Sequence, residues 1–172
     1  MTDWEAVVSQ HAATVQRTVC RIVGNHADAW DCVQDTFLEA VKIDRREPVR
    51  EWSAMLRHLA TVRAIDLLRA RSRQRGRHGP DAEPEHALSK EQDPACQAEV
   101  SELADKLRAA VARLPRRQAE VFCLSCFGQM NSDEIAARMG IRPAAVRMLL
   151  SRARRRLQEL LKSRAGAAVR EH

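Results

Sequence analysis

Tyrosine is absent from this chain, and the other aromatics are few, three tryptophans and three phenylalanines. Binding that stacks base after base along a single strand needs an aromatic platform, so that mode is not supported. Glycine and proline are scarce, six of each, while Val, Leu, Ala and Ile accompany abundant Arg and Glu. This balance predicts an all-α protein. No run approaches the ~18 apolar residues of a membrane span. The N-terminus also lacks the basic-then-apolar pattern of a signal peptide. The expectation is a soluble, cytoplasmic chain with no membrane insertion. A nucleotide-binding glycine loop, a metal-ligand cluster and a Ser/His/Asp arrangement are all missing. No catalytic residue, metal or cofactor is therefore expected.

Five cysteines are present, Cys20, Cys32, Cys96, Cys123 and Cys126. In a cytosolic chain they are expected to be reduced. Cys123 and Cys126 have the C-x-x-C spacing of zinc and redox sites, but they lie in an apolar helical run, VFCLSCF. With no second pair, small buried thiols are the expected reading.

Charge is unevenly spread behind a net value of +6. Residues 1–66 are net −2, and residues 67–77 hold five arginines and no acid. Residues 78–106 are net −6, and residues 107–172 are net +9. Two cationic zones separated by an acidic segment point to two nucleic-acid contacts and a connector that avoids non-specific binding.

The segment Asn131–Leu161 reads as a short helix, a glycine turn and a longer cationic helix. Asn131 and Glu134 have capping-box spacing, and Gly140 supplies the turn. Pro143 suits the first turn of the second helix, where its missing N–H is not needed. Val146, Leu149, Leu150, Ala153 and Leu157 form a buried stripe, leaving Arg147, Arg152, Arg154, Arg155 and Arg156 outside. A two-helix unit of this kind is what major-groove reading requires. The alternative is an ordinary helical hairpin with a solvated basic face.

Three helices are expected before it, over about 3–23, 28–43 and 49 into the arginine run, closing one small bundle. Trp30, Val33, Phe37 and Val41 are the expected apolar stripe of the second. The assigned domains are 1–75 and 98–164, with a flexible acidic linker over 76–97 and a tail over 165–172. The second domain is expected to hold about four helices.

Asp28, Asp31, Asp35 and Glu39 recur three and four apart on the second helix, with nothing basic between them. The choice is between a solvated acidic face and a docking stripe for a basic partner. An Asp-based metal site is disfavoured, because ligands from other elements do not converge. The third helix carries a cationic end that could track phosphates, and the loop before it could hold an unstacked base.

These residues resemble a family. Asp31-Cys-Val-Gln-Asp35-Thr-Phe37, Leu56-x-x-Leu-Ala60 and Ile65-Asp66-x-x-Arg69 look like region 2 of bacterial sigma factors. Leu114-Pro115-x-x-Gln118-x-Glu120-Val121-Phe122, Glu134-Ile135-Ala136, Gly140-Ile141, Val146-Arg147 and Arg152-Ala153-Arg154 look like region 4. The order is similar to the extracytoplasmic-function (ECF) subgroup of the sigma-70 family. The resemblance implies a factor that binds core RNA polymerase and directs it to promoter DNA, opening strands without catalysis of its own. Asp28, Asp31, Gln34, Asp35 and Glu39 would dock on the polymerase. Arg45, Arg46, Arg50, Arg63, Asp66, Arg69 and Arg71 would hold the −10 element. Arg142, Ala144, Ala145, Arg147, Met148, Ser151, Arg152 and Arg155 would face the −35 element. An anti-sigma factor is a further candidate partner. Val62 and Met55 stand where the family commonly has Asn and Trp, and Arg142, Ala145 and Leu149 replace common Ser/Thr, Thr and Arg. Fewer polar groups on the recognition helix shift −35 reading toward phosphates and shape. The rivals are a dimeric helix-turn-helix regulator that binds duplex DNA without polymerase, and a small metal or redox enzyme built on Asp31/Asp35 or the cysteine pair.

Overall fold

The computed structural model describes residues 1–78 and 102–168. Among these residues the chain forms seven α-helices and no strand. The expected linker from residue 79 on, Cys96 within it, the first residues of the expected second domain (98–101) and the tail beyond Ala168 lie outside the described residues.

Helix α1 (Trp4–Val23) begins where Asp3 accepts the Ala6 N–H at 3.1 Å, and it ends at Gly24. Gly24 has φ 74°, and the guanidinium of Arg108 fills the space that a Cβ there would need. Any other residue would meet both a left-handed backbone and a cation. Asn25 then accepts from Ala27 and Asp28, so α2 (His26–Asp44) starts two residues before its apolar stripe indicates. Helix α3 (Trp52–His78) is longer than its apolar stripe and runs through the arginines. Arginine and glutamine are good helix formers, so propensity favours this extension where packing is thin.

Helices α4 (Glu102–Ala112), α5 (Arg116–Cys126), α6 (Ser132–Met139) and α7 (Pro143–Ala168) complete the chain. Pro115 separates α4 from α5 as its fixed φ and missing donor require. Asn131 and Glu134 close the capping box, with the Asn131 N–H donating to Glu134 at 2.7 Å. Gly140, at φ 64°, returns its N–H to the Ala136 carbonyl.

Helix α3 lies at the centre, against α1 and α2 on one side and α4, α5 and α6 on the other. One apolar core joins Val15, Val19, Ile22, Met55, Leu56 and Ile65 to Val111, Leu114, Phe122 and Leu157. A smaller core, Val121, Leu124, Met130, Ile135, Ala136 and Val146, holds the α6–α7 unit and touches Ala54 of α3. Full burial of one such Leu or Ile stabilises by about 1.5–3 kcal/mol. Trp4 and Trp52 meet edge to face at 4.9 Å, fixing the start of α3 against α1.

Two expectations need correction. Trp30, placed in the α2 stripe, is 47% exposed, because the stripe is filled from Ala29, Cys32, Val33, Thr36 and Ala40. Cys20 is disulfide-bonded rather than reduced, while Cys32, Cys123 and Cys126 are free thiols. The redox tendency of a compartment does not decide which sulfurs a fold brings together.

Candidate nucleic-acid and protein interfaces

The acidic stripe of α2 is neutralised at its ends and bare in its middle. Asp28 pairs with Arg71, and Glu39 pairs with Arg63 at 3.3 Å and Lys42 at 3.4 Å. The absence of basic residues along α2 is therefore relieved across the bundle, from α3. Burial lowers the Arg71 pKa, with Arg75 and Arg108 adding to the effect and Asp105 opposing it. Asp31 and Asp35 form no ion pair among the described residues, and both are exposed beside Gln34. Trp30 and Leu38, 47% and 61% exposed, stand one turn either side of Gln34. The middle of α2 thus presents two free carboxylates flanked by two apolar groups, the composition of a protein-docking surface. The sequence reading missed Trp30 and Leu38. The available signal was their i, i+4, i+8 spacing with Gln34.

The buried Cys32 thiol beneath this face is pushed up to about 11 by burial and then by Asp35 and Asp31. Burial likewise raises Cys123, which is fully buried, and Cys126, which is exposed rather than buried as expected. Raised thiol pKa values are opposite to those of a redox or zinc-binding pair. Among the described residues no group of three or more His, Cys, Asp and Glu is placed to hold a metal.

The residues assigned to the −10 element divide into two sets. Arg45, Arg46 and Arg50 are exposed in the α2–α3 loop and form no ion pair among the described residues. The α3 residues are engaged inside the protein. Arg63 and Arg71 bind Glu39 and Asp28, Asp66 pairs with Arg116 at 3.2 Å, and Arg69 donates to the Leu114 carbonyl at 2.8 Å.

The α7 residues form one cationic surface. Arg142, Ala144, Arg147, Met148, Ser151, Arg152 and Arg155 are exposed, and Ala145 is half-buried. Arg142, Arg147, Arg152 and Arg155 have no acidic partner among the described residues, leaving their charge available to phosphates. Val146, Ala153 and Leu157 hold the opposite side against the core. A short capped helix, a left-handed glycine turn and a cationic second helix with its outer face free define a helix-turn-helix DNA-binding protein.

Residues 7–74 match the model for sigma-70 region 2, and residues 104–157 match that for sigma-70 region 4. Over 161 residues the chain is 30% identical to RNA polymerase sigma factor CarQ of Myxococcus xanthus, covering 92% of this chain and 88% of CarQ. It is 27% identical over 161 residues to the ECF RNA polymerase sigma factor SigE of Mycolicibacterium smegmatis (strain ATCC 700084 / mc(2)155). That match covers 94% of this chain but spans only 62% of the length of SigE. The fold resembles that of the sigma factor RpoE from Bartonella quintana, solved in complex with the anti-sigma factor NepR. That likeness has a TM-score of 0.55 at 24% identity and covers 94% of this chain and 98% of RpoE. The chain belongs to the sigma-70 family of transcription initiation factors, in its ECF subgroup.

Proposed function

We propose that this chain binds core RNA polymerase through the middle of α2 and directs initiation at promoters carrying −35 and −10 elements. The observation that carries this reading is the pair of free surfaces of opposite charge on one chain. Asp31, Gln34 and Asp35, with Trp30 and Leu38, suit a basic protein partner, whereas the outer face of α7 suits duplex DNA. The domains are 1–75 for polymerase docking and the −10 element, and 98–164 for the −35 element, joined through 76–97. The loop arginines Arg45, Arg46 and Arg50 are ready to meet the −10 strand, and Arg63, Asp66, Arg69 and Arg71 reach it once released from their present partners. An anti-sigma factor is a further partner. No described helix is long and apolar enough to cross a membrane, and the chain works in the cytoplasm, where polymerase and promoters are found.

Run-off transcription with purified core polymerase on a genomic promoter library tests the reading. The expected result is discrete start sites that require both core polymerase and this chain. A stable dimer that binds duplex DNA tightly without polymerase, and adds no start sites, would replace it with the conventional regulator.

A further inference from the structure

Large apolar side chains that stand in solvent are few among the described residues, and Met148, 48% exposed, is the one that α7 carries. Its direction is fixed by the packing behind it. Val146 and Ala153 are fully buried, and with Leu157 and Leu160 they define the inward side of the helix. At about 100° per residue, Ala144, Met148, Ser151 and Arg155 all fall within about 30° of the opposite direction. Arg147 lies about 70° to one side of that line, and Arg152 about 70° to the other. The N-terminal half of the outermost strip is thus small and mainly apolar, between two cationic edges.

A helical methionine leans toward the N-terminus, over the residue four before it. That residue is Ala144, itself exposed and too small to cover the thioether. Met148 also stands in the second turn of α7, and the N-terminal turns of a recognition helix are those that reach base edges.

Charge and polarity together select the group that Met148 can meet. The arginines on either side favour a phosphate-lined partner over an apolar protein surface. An unbranched thioether donates no hydrogen bond and accepts only weakly, so its gain comes from apolar contact. In duplex DNA the group that satisfies both is the C5-methyl of thymine, which projects into the major groove and has no counterpart in the minor groove.

We propose that Met148 reads a thymine of the −35 element through its C5-methyl group, with Ala144 lining the same contact. The proposal rests on the promoter-directing reading above and gives one side chain the sequence information that phosphate-bound arginines do not supply. Arg147 and Arg152 hold phosphates at any sequence, whereas water is displaced between Met148 and a methyl only where thymine stands.

Deoxyuridine tests this, because it lacks the methyl and keeps every base-pairing group of thymine. Each thymine of either strand in the −35 footprint of a promoter mapped by run-off is replaced in turn. Full-length chain with core polymerase is then titrated with each duplex. One replacement should lower affinity about threefold to fourfold, the scale of a single methyl returned to water. Met148→Ala should lose about as much on the thymine duplex and show no further loss on the deoxyuridine duplex, as a double-mutant cycle requires of a direct contact. Met148→Leu keeps an apolar group of similar volume and should keep the discrimination. Met148 is exposed, so neither change disturbs the core. Equal affinity for all duplexes overturns the assignment. A deoxyuridine penalty that persists in Met148→Ala also overturns it, since the penalty then arises from the shape of the DNA. Absence of core-dependent start sites with the wild type sinks the promoter-directing reading, whereas discrete start sites with no thymine preference sink only the role of Met148.

Discussion

At the residue scale, the acidic groups of α2 carry different duties despite equal spacing. Asp31 and Asp35 are exposed and form no ion pair among the described residues, so Asp31→Ala with Asp35→Ala should weaken core polymerase binding by about 1–3 kcal/mol with helicity unchanged. A fluorescence titration at moderate salt that finds equal affinity would remove α2 from the proposed docking surface. Asp28 instead answers Arg71 inside the bundle, so Asp28→Ala should cost about 1 kcal/mol of stability, seen as a lower thermal midpoint. The sequence shows four acids on one helix face, but only the position of α3 shows which two are taken. His58 adds a pH dependence. Its Nδ1 accepts from Arg138 Nε at 3.4 Å, and burial, with Arg138 second, lowers its pKa from 6.5 to about 4. The unfolded chain binds that proton near pH 6.5, whereas the folded chain resists it until about pH 4. The stabilising contribution is complete above about pH 6.5 and is lost as pH falls toward about 4. Melting curves across that range should slope less in His58→Gln, which keeps an acceptor for Arg138 but cannot charge. Equal slopes would show that the acid sensitivity lies elsewhere.

At the element scale, local rules specify the helix-turn-helix almost completely. Asn131, Glu134, Gly140 and Pro143 each have one conformational use, and the structure puts each to that use. Asn131→Ala should therefore cost about 1 kcal/mol of helix stability, because two N–H groups lose their acceptor. The outer face of α7 has few groups suited to base edges, with Ala144, Ala145 and Met148 among its arginines. In the proposed −35 role phosphate contact then dominates, so Arg147→Ala should weaken binding to different −35 sequences about equally. It should also reduce the slope of log affinity against log salt by about 1. A loss confined to one base position would mean instead that Arg147 reads a base edge. Helix α2 was less legible than α7. Periodicity placed Trp30 in the core because large apolar residues are usually buried, but small residues filled the stripe first.

At the scale of the whole molecule, the order of the helices was legible from caps and apolar periodicity, whereas the packing of α3 against α4, α5 and α6 was not. Asp66 and Arg69 were expected at the −10 element and are found paired within the protein, since nothing in a local pattern reports a contact such as that of Arg69 with Leu114, 45 residues away. The same distinction separates the two proposed DNA surfaces experimentally. Arg45 and Arg46 in the α2–α3 loop and Arg147 on α7 are exposed and form no ion pair among the described residues, so substitution of either set leaves the core intact. Holoenzyme is reconstituted with Arg45→Ala/Arg46→Ala or with Arg147→Ala, and transcription is compared on duplex and on a template mismatched at −10. The loop variant should open duplex slowly and recover on the mismatched template, because separation of the strands no longer has to be driven. The Arg147 variant should capture both templates weakly, since the duplex contact proposed for it lies outside the bubble, and raising salt should deepen that loss. Rescue of the Arg147 variant by the bubble, with no rescue of the loop variant, would reverse the division of labour between the two cationic surfaces while leaving the family intact.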